Sequence, residues 1–279
     1  MKPLENAREI MNRVQAIGAE RVLFADELEE WNSFPEDERM RRLESVCSHP
    51  LVEFSSVRTL FFRLKWMDVL RLVCPGAGAF VFEVGSGSTD LIPTALTKHD
   101  TAGQYVTANM NQGLTQGFRE KTKNLPISIR VIEDDAMNIL RYLPEQSVDA
   151  LIFEHSANDI MQAMLAEENG LDTTRRDWYE IFTEMVRLIN QEYENETMAK
   201  NLKPAFLTLV RNCLAVVKPG GFAVFSHHMY QYDLDHGYNY DLHENIISII
   251  RPWLAEIEGA AEVEAEGFDP HWWLFLKKS

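Results

Sequence analysis

The stretch Val81-Phe82-Glu83-Val84-Gly85-Ser86-Gly87-Ser88-Thr89-Asp90 decides how this chain is read. A short apolar run, Ala79 to Val84, has the length and composition of a buried strand and ends in the glycine turn Gly85-Ser86-Gly87. Such a turn at the end of a strand lets a ligand approach the backbone closely. The helix that follows then presents its unpaired N–H groups to the same place. Thr89 is predicted to cap that helix, which runs through Leu96, and Pro93 falls in its first turn, where a missing N–H is harmless. The GK[ST] ending of a phosphate loop is absent, and Asp90 stands where the third glycine of GxGxxG would be.

Downstream, apolar runs alternate with helical stretches. Strands are predicted at Tyr105 to Ala108, Ile127 to Ile132, Val148 to Phe153 and Phe222 to Phe225, with a helix over Asn111 to Lys123 and a long helical region over about 157–217. A helix around Glu244 to Ile257 precedes Ala261 to Glu266 and Trp272 to Lys277, which suit a terminal antiparallel hairpin. This order predicts an α/β fold: a doubly wound, mostly parallel seven-stranded sheet covered on both faces. Upstream, Ala7 to Leu28, Pro35 to Cys47 and Val57 to Val73 read as helices, and Pro75-Gly76-Ala77-Gly78 stops the last. The predicted organisation is a helical cap or lid over 1–75 and a Rossmann-like domain over 76–279 with a helical insertion at about 157–205.

The order acidic-x-Gly-x-Gly at Glu83 to Gly87 resembles motif I of class I S-adenosylmethionine-dependent methyltransferases. Three further segments match that family in order: Tyr105 to Met110, Glu133 to Ala136 followed by Leu143 to Ile152, and Leu214 to Phe225 with its Lys218-Pro219-Gly220-Gly221 turn. The resemblance covers about residues 79–277 and implies S-adenosylmethionine as cofactor. It implies a binding set of Glu83, Gly85, Ser86, Gly87, Asn109, Met110, Asp135, Ala136 and Glu154. The ribose position carries Asn109 rather than the family's usual Asp or Glu; an amide donates as well as accepts and has no charge.

Ligands in doubly wound folds sit beyond the carboxyl ends of the strands, so Phe153 to Asp159 is expected to face the cofactor. His155 is the candidate general base, with Glu154 or Asp159 orienting it, because imidazole titrates near neutral pH. A strand-end imidazole can equally serve only to bond backbone. The segment Ser226 to Tyr240 holds four tyrosines and three histidines; His227, Tyr230 and Tyr232 are candidates for the substrate pocket, where aromatic faces attract cations. His227, His228, Asp233, Asp235 and His236 invite a metal reading, but their spacing matches no ligand motif, and no metal is expected. Arg63, with Arg58 and Lys65, could meet a carboxylate of a substrate or of S-adenosylmethionine; the alternative is a solvated basic face of an amphipathic helix. Trp178, Tyr179, Phe182 and Tyr193 recur at near-helical spacing and are expected to be core.

The 27 Lys and Arg against 43 Asp and Glu give a net charge of −16 in 279 residues. A surface this acidic disfavours phosphate backbones and anionic membranes. No apolar run has the length of a membrane span, and the charged start MKPLEN does not suit a secretory leader. The odd, scattered Cys47, Cys74 and Cys213 suit reduced thiols in a cytoplasmic protein. The resulting expectation is a methyltransferase acting on a small-molecule acceptor, with no nucleic-acid or membrane partner. One alternative is an enzyme using the aminobutyrate arm of the cofactor, by 3-amino-3-carboxypropyl transfer or cyclisation, and releasing methylthioadenosine. The other is a non-catalytic binding protein of the same fold.

Overall fold

A computed structural model describes residues 6–48, 51–52 and 55–279. Its centre is a seven-stranded sheet of β1 (Phe80–Val84), β2 (Gln104–Ala108), β3 (Ser128–Ile132), β4 (Val148–Glu154), β5 (Val217–Ser226), β6 (Ala260–Val263) and β7 (Trp273–Lys278), in the order β3-β2-β1-β4-β5-β7-β6. The first five strands pair in parallel, whereas β7 is antiparallel to both β5 and β6. The predicted terminal hairpin is therefore present. The parallel strands all end on one edge, and the chain winds outward from β1 and β4 in opposite directions. That switch point is where such sheets form a crevice.

Side chains alternate between the two sheet faces, and each face has its own core. Phe82 and Val84 join Phe153, Phe225 and the helices α7 (Ser156–Glu168), α8 (Trp178–Glu194), α9 (Lys203–Ala215) and α10 (Ile246–Leu254). Phe153 and Phe225, paired across β4 and β5, stack at 4.3 Å. On the opposite face Val81, Tyr105 and Phe275 pack with the N-terminal helices α1 (Ala7–Ile17), α2 (Ala25–Ser33), α3 (Glu36–Ser48) and α4 (Ser56–Val73), together with α5 (Leu91–His99). The predicted helix over Ala7 to Leu28 is broken at Gly18, whose φ of 85° ends α1. α6 (Gln112–Thr122) follows β2, and Leu51–Val52 pairs in parallel with Met229–Tyr230 beside the main sheet.

α4 corrects the solvated-face alternative. Arg58, Arg63 and Lys65 are all buried, and so is most of the helix around its circumference. Each charge has found a partner, because burying an unpaired cation would be prohibitive. Arg63 donates to Glu27, to both oxygens of Asp90 and to the Val22 carbonyl. Lys65 donates to the Gly267 carbonyl at 3.2 Å. Asp68 is held by Arg13 at 2.9 Å and by Arg71 at 2.7 Å.

Cys47, Cys74 and Cys213 are unbonded to one another. No helix among the described residues is long and apolar enough to cross a membrane.

Candidate active site

Two adjoining cavities open at the carboxyl edge of the strands, and both touch Gly85, Gly87, Leu114, Asp159 and Trp178. The smaller, of about 120 Å³, lies over the ends of β2 and β3 and is bordered by Asn109, Met110, Asp135 and Ala136. The larger, of about 640 Å³, sits over the β1–β4 switch point. Its floor includes Glu154, His155 and Asp159; α2 and α4 contribute Glu27 and Arg58; Tyr179, Tyr230 and Tyr232 form another wall.

The glycine turn is built as its sequence suggests. Gly85 has φ 71° and Gly87 φ 57°, both in the left-handed region that side chains disfavour. A Cβ on Gly85 would also stand 3.2 Å from the Cβ of Ser156. The helix start differs from expectation: Asp90, not Thr89, is the N-cap residue of α5, and its carboxylate is occupied by Arg63 and by the Thr94 hydroxyl. Thr89 Oγ1 lies 3.4 Å from the Leu91 N–H, a marginal contact.

Asn109 donates its Nδ2 to the Gly87 carbonyl at 2.7 Å, tying the end of β2 to the turn after β1. Asn111 caps α6 by accepting from the Leu114 N–H, and its own amide donates to the Thr173 and Arg176 carbonyls. The segment between α7 and α8 is thereby held beside the smaller cavity. Asp135 caps the turn Ala136–Arg141 by accepting from the Met137 N–H at 2.8 Å. Beside the turn, Ser156 Oγ is buried with no partner among the described residues, whereas Ser86 stands within hydrogen-bonding reach of the Tyr105 hydroxyl. An orphaned hydroxyl on Ser156, which borders the smaller cavity, suits a polar ligand that would supply the missing bond.

Glu83 lines neither cavity. It is fully buried on the face toward the N-terminal helices and accepts from the Tyr105 hydroxyl. Burial raises its pKa well above the usual carboxylate range, against the lowering effect of Tyr105. Arg63 and His227 also fall outside both cavity linings, whereas Tyr230 and Tyr232 stand on the wall of the larger one. Of the aromatic stripe of α8, Phe182 is buried and Tyr179 is 55% exposed, and both border the larger cleft together with Trp178.

The floor is dense in titratable groups. His155 occupies a left-handed conformation, φ 54° and ψ 0°, at the junction of β4 and α7, and its N–H donates to the Ser226 carbonyl. Histidine tolerates that region better than most residues. Burial, reinforced by His228, His227, His243 and Arg58, holds its imidazole pKa well below the usual value, so the ring is neutral. Burial lifts Glu154 to about 7 despite the nearby Arg58. Burial, then the charges of Asp233 and Glu154, raise Asp159. Beneath His155, Asp233 accepts from His243 Nε2 at 2.8 Å, and His243 Nδ1 meets His227 Nε2 at 3.1 Å. His243 escaped the sequence reading because it lies on a separate helical turn, Tyr240–Glu244, with no local motif around it. Arg58 donates to the Tyr230 hydroxyl and lies against that ring at 4.7 Å.

The parallel sheet, the terminal antiparallel strand and the glycine turn at the switch point form one recognisable architecture. The chain has a class I methyltransferase-like fold. No family model and no curated protein matches it. Among solved structures it is similar to TrmN from Thermus thermophilus, at 15% identity and a TM-score of 0.40 over 78% of this chain; it spans about half, 49%, of that one. It is similar to a SAM-dependent methyltransferase from Aquifex aeolicus at 12% identity and a TM-score of 0.43, over 76% and 88% of the two chains. A putative caffeoyl-CoA O-methyltransferase from Staphylococcus aureus is similar at 11% identity and a TM-score of 0.45, over 90% and 96%. Likenesses this distant add nothing to the sheet order and site geometry described above.

Proposed function

We propose that this chain is an S-adenosylmethionine-dependent methyltransferase whose acceptor is a small molecule. The carrying observation is the pair of adjoining cavities that share Gly85, Gly87 and Asp159. One is a narrow slot between Asn109, Met110, Asp135 and Ala136; the other is a roomier cleft over Glu154 and His155. In this reading the slot takes the nucleoside. The hydroxyls of Ser86 and Ser156 take the polar arm, with Glu83 behind the turn. The bound cofactor supplies an electrophilic methyl group, and positioning supplies much of the rate.

The chain's own part is to hold the acceptor in line and keep water out. Arg58 from α4 and Tyr179 from α8 border the cleft from opposite elements, so the helical regions around the sheet serve as its lid. An acceptor hydroxyl or amine must also lose a proton, and His155, on the floor of the larger cleft, is placed to take it. The net charge of −16 favours a small acceptor over a nucleic acid.

The test is incubation of the full chain with S-adenosylmethionine, alone and with a metabolite extract, and quantification of nucleoside products by mass spectrometry. S-adenosylhomocysteine appearing with extract supports methyl transfer. Methylthioadenosine above the enzyme-free control overturns it in favour of aminobutyrate chemistry. Absence of both products with tight nucleoside binding points to a binding protein, and a stable shift with RNA or DNA overturns the small-molecule acceptor.

A further inference from the structure

The cluster at the cleft combines residues from three places in the chain: the β4–α7 junction, the helical turn Gln231–Asp235, and the helical turn Tyr240–Glu244. Asp233 is its centre. Its Oδ2 receives His243 Nε2 at 2.8 Å and faces His155 Nε2 at 3.8 Å. One ligand atom from each of His155, Asp233 and His243 lies within 4.8 Å of the other two; Asp233 and His243 are buried, and the His155 side chain is 12% exposed, toward the cleft. Two imidazoles and one carboxylate are a donor set for a divalent transition ion rather than for calcium or magnesium, which favour oxygen.

From this geometry we propose that His155, Asp233 and His243 bind a divalent transition-metal ion at the floor of the larger cleft. The inference goes beyond the methyltransferase reading and does not depend on it. Three protein ligands leave coordination positions open, and His155 and Asp233 border the cleft, so those positions face an acceptor. A supporting partner is present for His243, whereas the other ring nitrogen of His155, Nδ1, is buried with none among the described residues. In the metal-free chain His243 Nε2–H donates to Asp233, which leaves its Nδ1 to accept from His227 Nε2. Metal binding reverses this pair: His243 Nε2 gives its lone pair to the ion, its Nδ1–H donates to His227 Nε2, and the proton of His227 moves to Nδ1. The exchange gives up the His243 Nε2–H bond to Asp233 in return for the bonds to the ion, and it leaves the His227 proton on a buried nitrogen with no partner among the described residues. A histidine ligand oriented by a hydrogen bond from its other nitrogen is the usual arrangement at metal centres. Asp235 and His236, attractive in sequence, are engaged elsewhere: Asp235 accepts from Gln231, and His236 Nδ1 meets the Tyr232 carbonyl.

With an ion present, His155 is a ligand rather than a proton acceptor. The ion then lowers the pKa of an acceptor hydroxyl bound at an open position.

The experiment titrates the chelator-treated full chain with cobalt chloride, without nucleoside, and follows the visible d–d bands together with equilibrium dialysis. One Co²⁺ per chain is expected, with affinity lower by at least about 100-fold in Asp233→Asn and His243→Gln and unchanged in the outlying His271→Gln control. Failure to bind stoichiometrically, or equal binding by folded Asp233→Asn, overturns the site. Should the variants not fold, imidazole ¹⁵N shifts of the unaltered chain decide. Zn²⁺ must move His155 and His243 and switch the His243 tautomer, and unmoved rings overturn the proposal. S-adenosylhomocysteine binding, measured separately, keeps this outcome distinct from that of the methyltransferase reading.

Discussion

Asn109 donates its side-chain amide to the carbonyl oxygen of Gly87 at 2.7 Å. This bond gives a physical reason for an amide at a position where the resembling family has a carboxylate: an ionised carboxylate has no proton to donate. An acid here would face the carbonyl oxygen of the turn without a hydrogen bond. The end of β2 and the glycine turn are tied by this donor together with the Gly85 N–H, which donates to the Ala108 carbonyl at 2.9 Å, and the amide oxygen is left to serve a ligand.

Asn109→Asp is therefore expected to destabilise the chain by about 1–3 kcal/mol, since Asn109 is buried and the Gly87 oxygen loses its donor. Thermal melts should show a lower Tm, and calorimetry should show S-adenosylhomocysteine affinity about tenfold weaker. A variant that binds more tightly than the parent would remove the coupling argument.

The two turn glycines should respond unequally. Gly85→Ala meets both a φ of 71° and the Ser156 side chain, whereas Gly87→Ala meets only a φ of 57° with open space around it. Gly87→Ala is expected to cost about 1–2 kcal/mol for the backbone alone, and Gly85→Ala more. Chemical denaturation of both variants checks the order; equal losses would mean Ser156 moves aside freely.

Arg63→Met leaves Glu27 and Asp90 facing a missing cation, with the Arg63 side chain only 1% exposed in the parent. The expected loss is about 3–5 kcal/mol, the range for removing one partner from a buried ion pair. For a chain of this size Tm should fall by on the order of 10 °C. If the melt is unchanged and only acceptor KM rises, Arg63 contacts substrate after all.

Glu83 makes stability fall with rising pH. Burial raises its folded pKa above the 4.5 of the free group, so the folded chain holds a proton that the unfolded chain releases. This contribution is complete below the unfolded value and is lost progressively as pH rises toward the folded one. Glu83→Gln removes the effect. Its Tm minus that of the parent should grow from about pH 4 to about pH 8, and a flat difference would show Glu83 ionised in the fold.

The alternation of apolar runs and helices, the glycine turn and the terminal hairpin were legible in the sequence because each depends on local periodicity and backbone sterics. Candidate residues at strand ends, such as His155, Asn109 and Asp135, were legible for the same reason: parallel strands place all their carboxyl ends on one edge. Interactions between distant segments were not. Arg63 reads as a basic residue on a helix face, and only packing of α2 and α5 against α4 turns it into a buried partner of Glu27 and Asp90. His243 carries no motif, yet tertiary structure sets it against Asp233, beside His155, while sending the nearer-looking His236 to a backbone carbonyl. Sequence determined the sheet and the edge where chemistry gathers, since period and turn geometry are properties of neighbouring residues. Which charges are buried together on that edge depended on the folded packing, because desolvation and pairing are properties of side chains that meet only there.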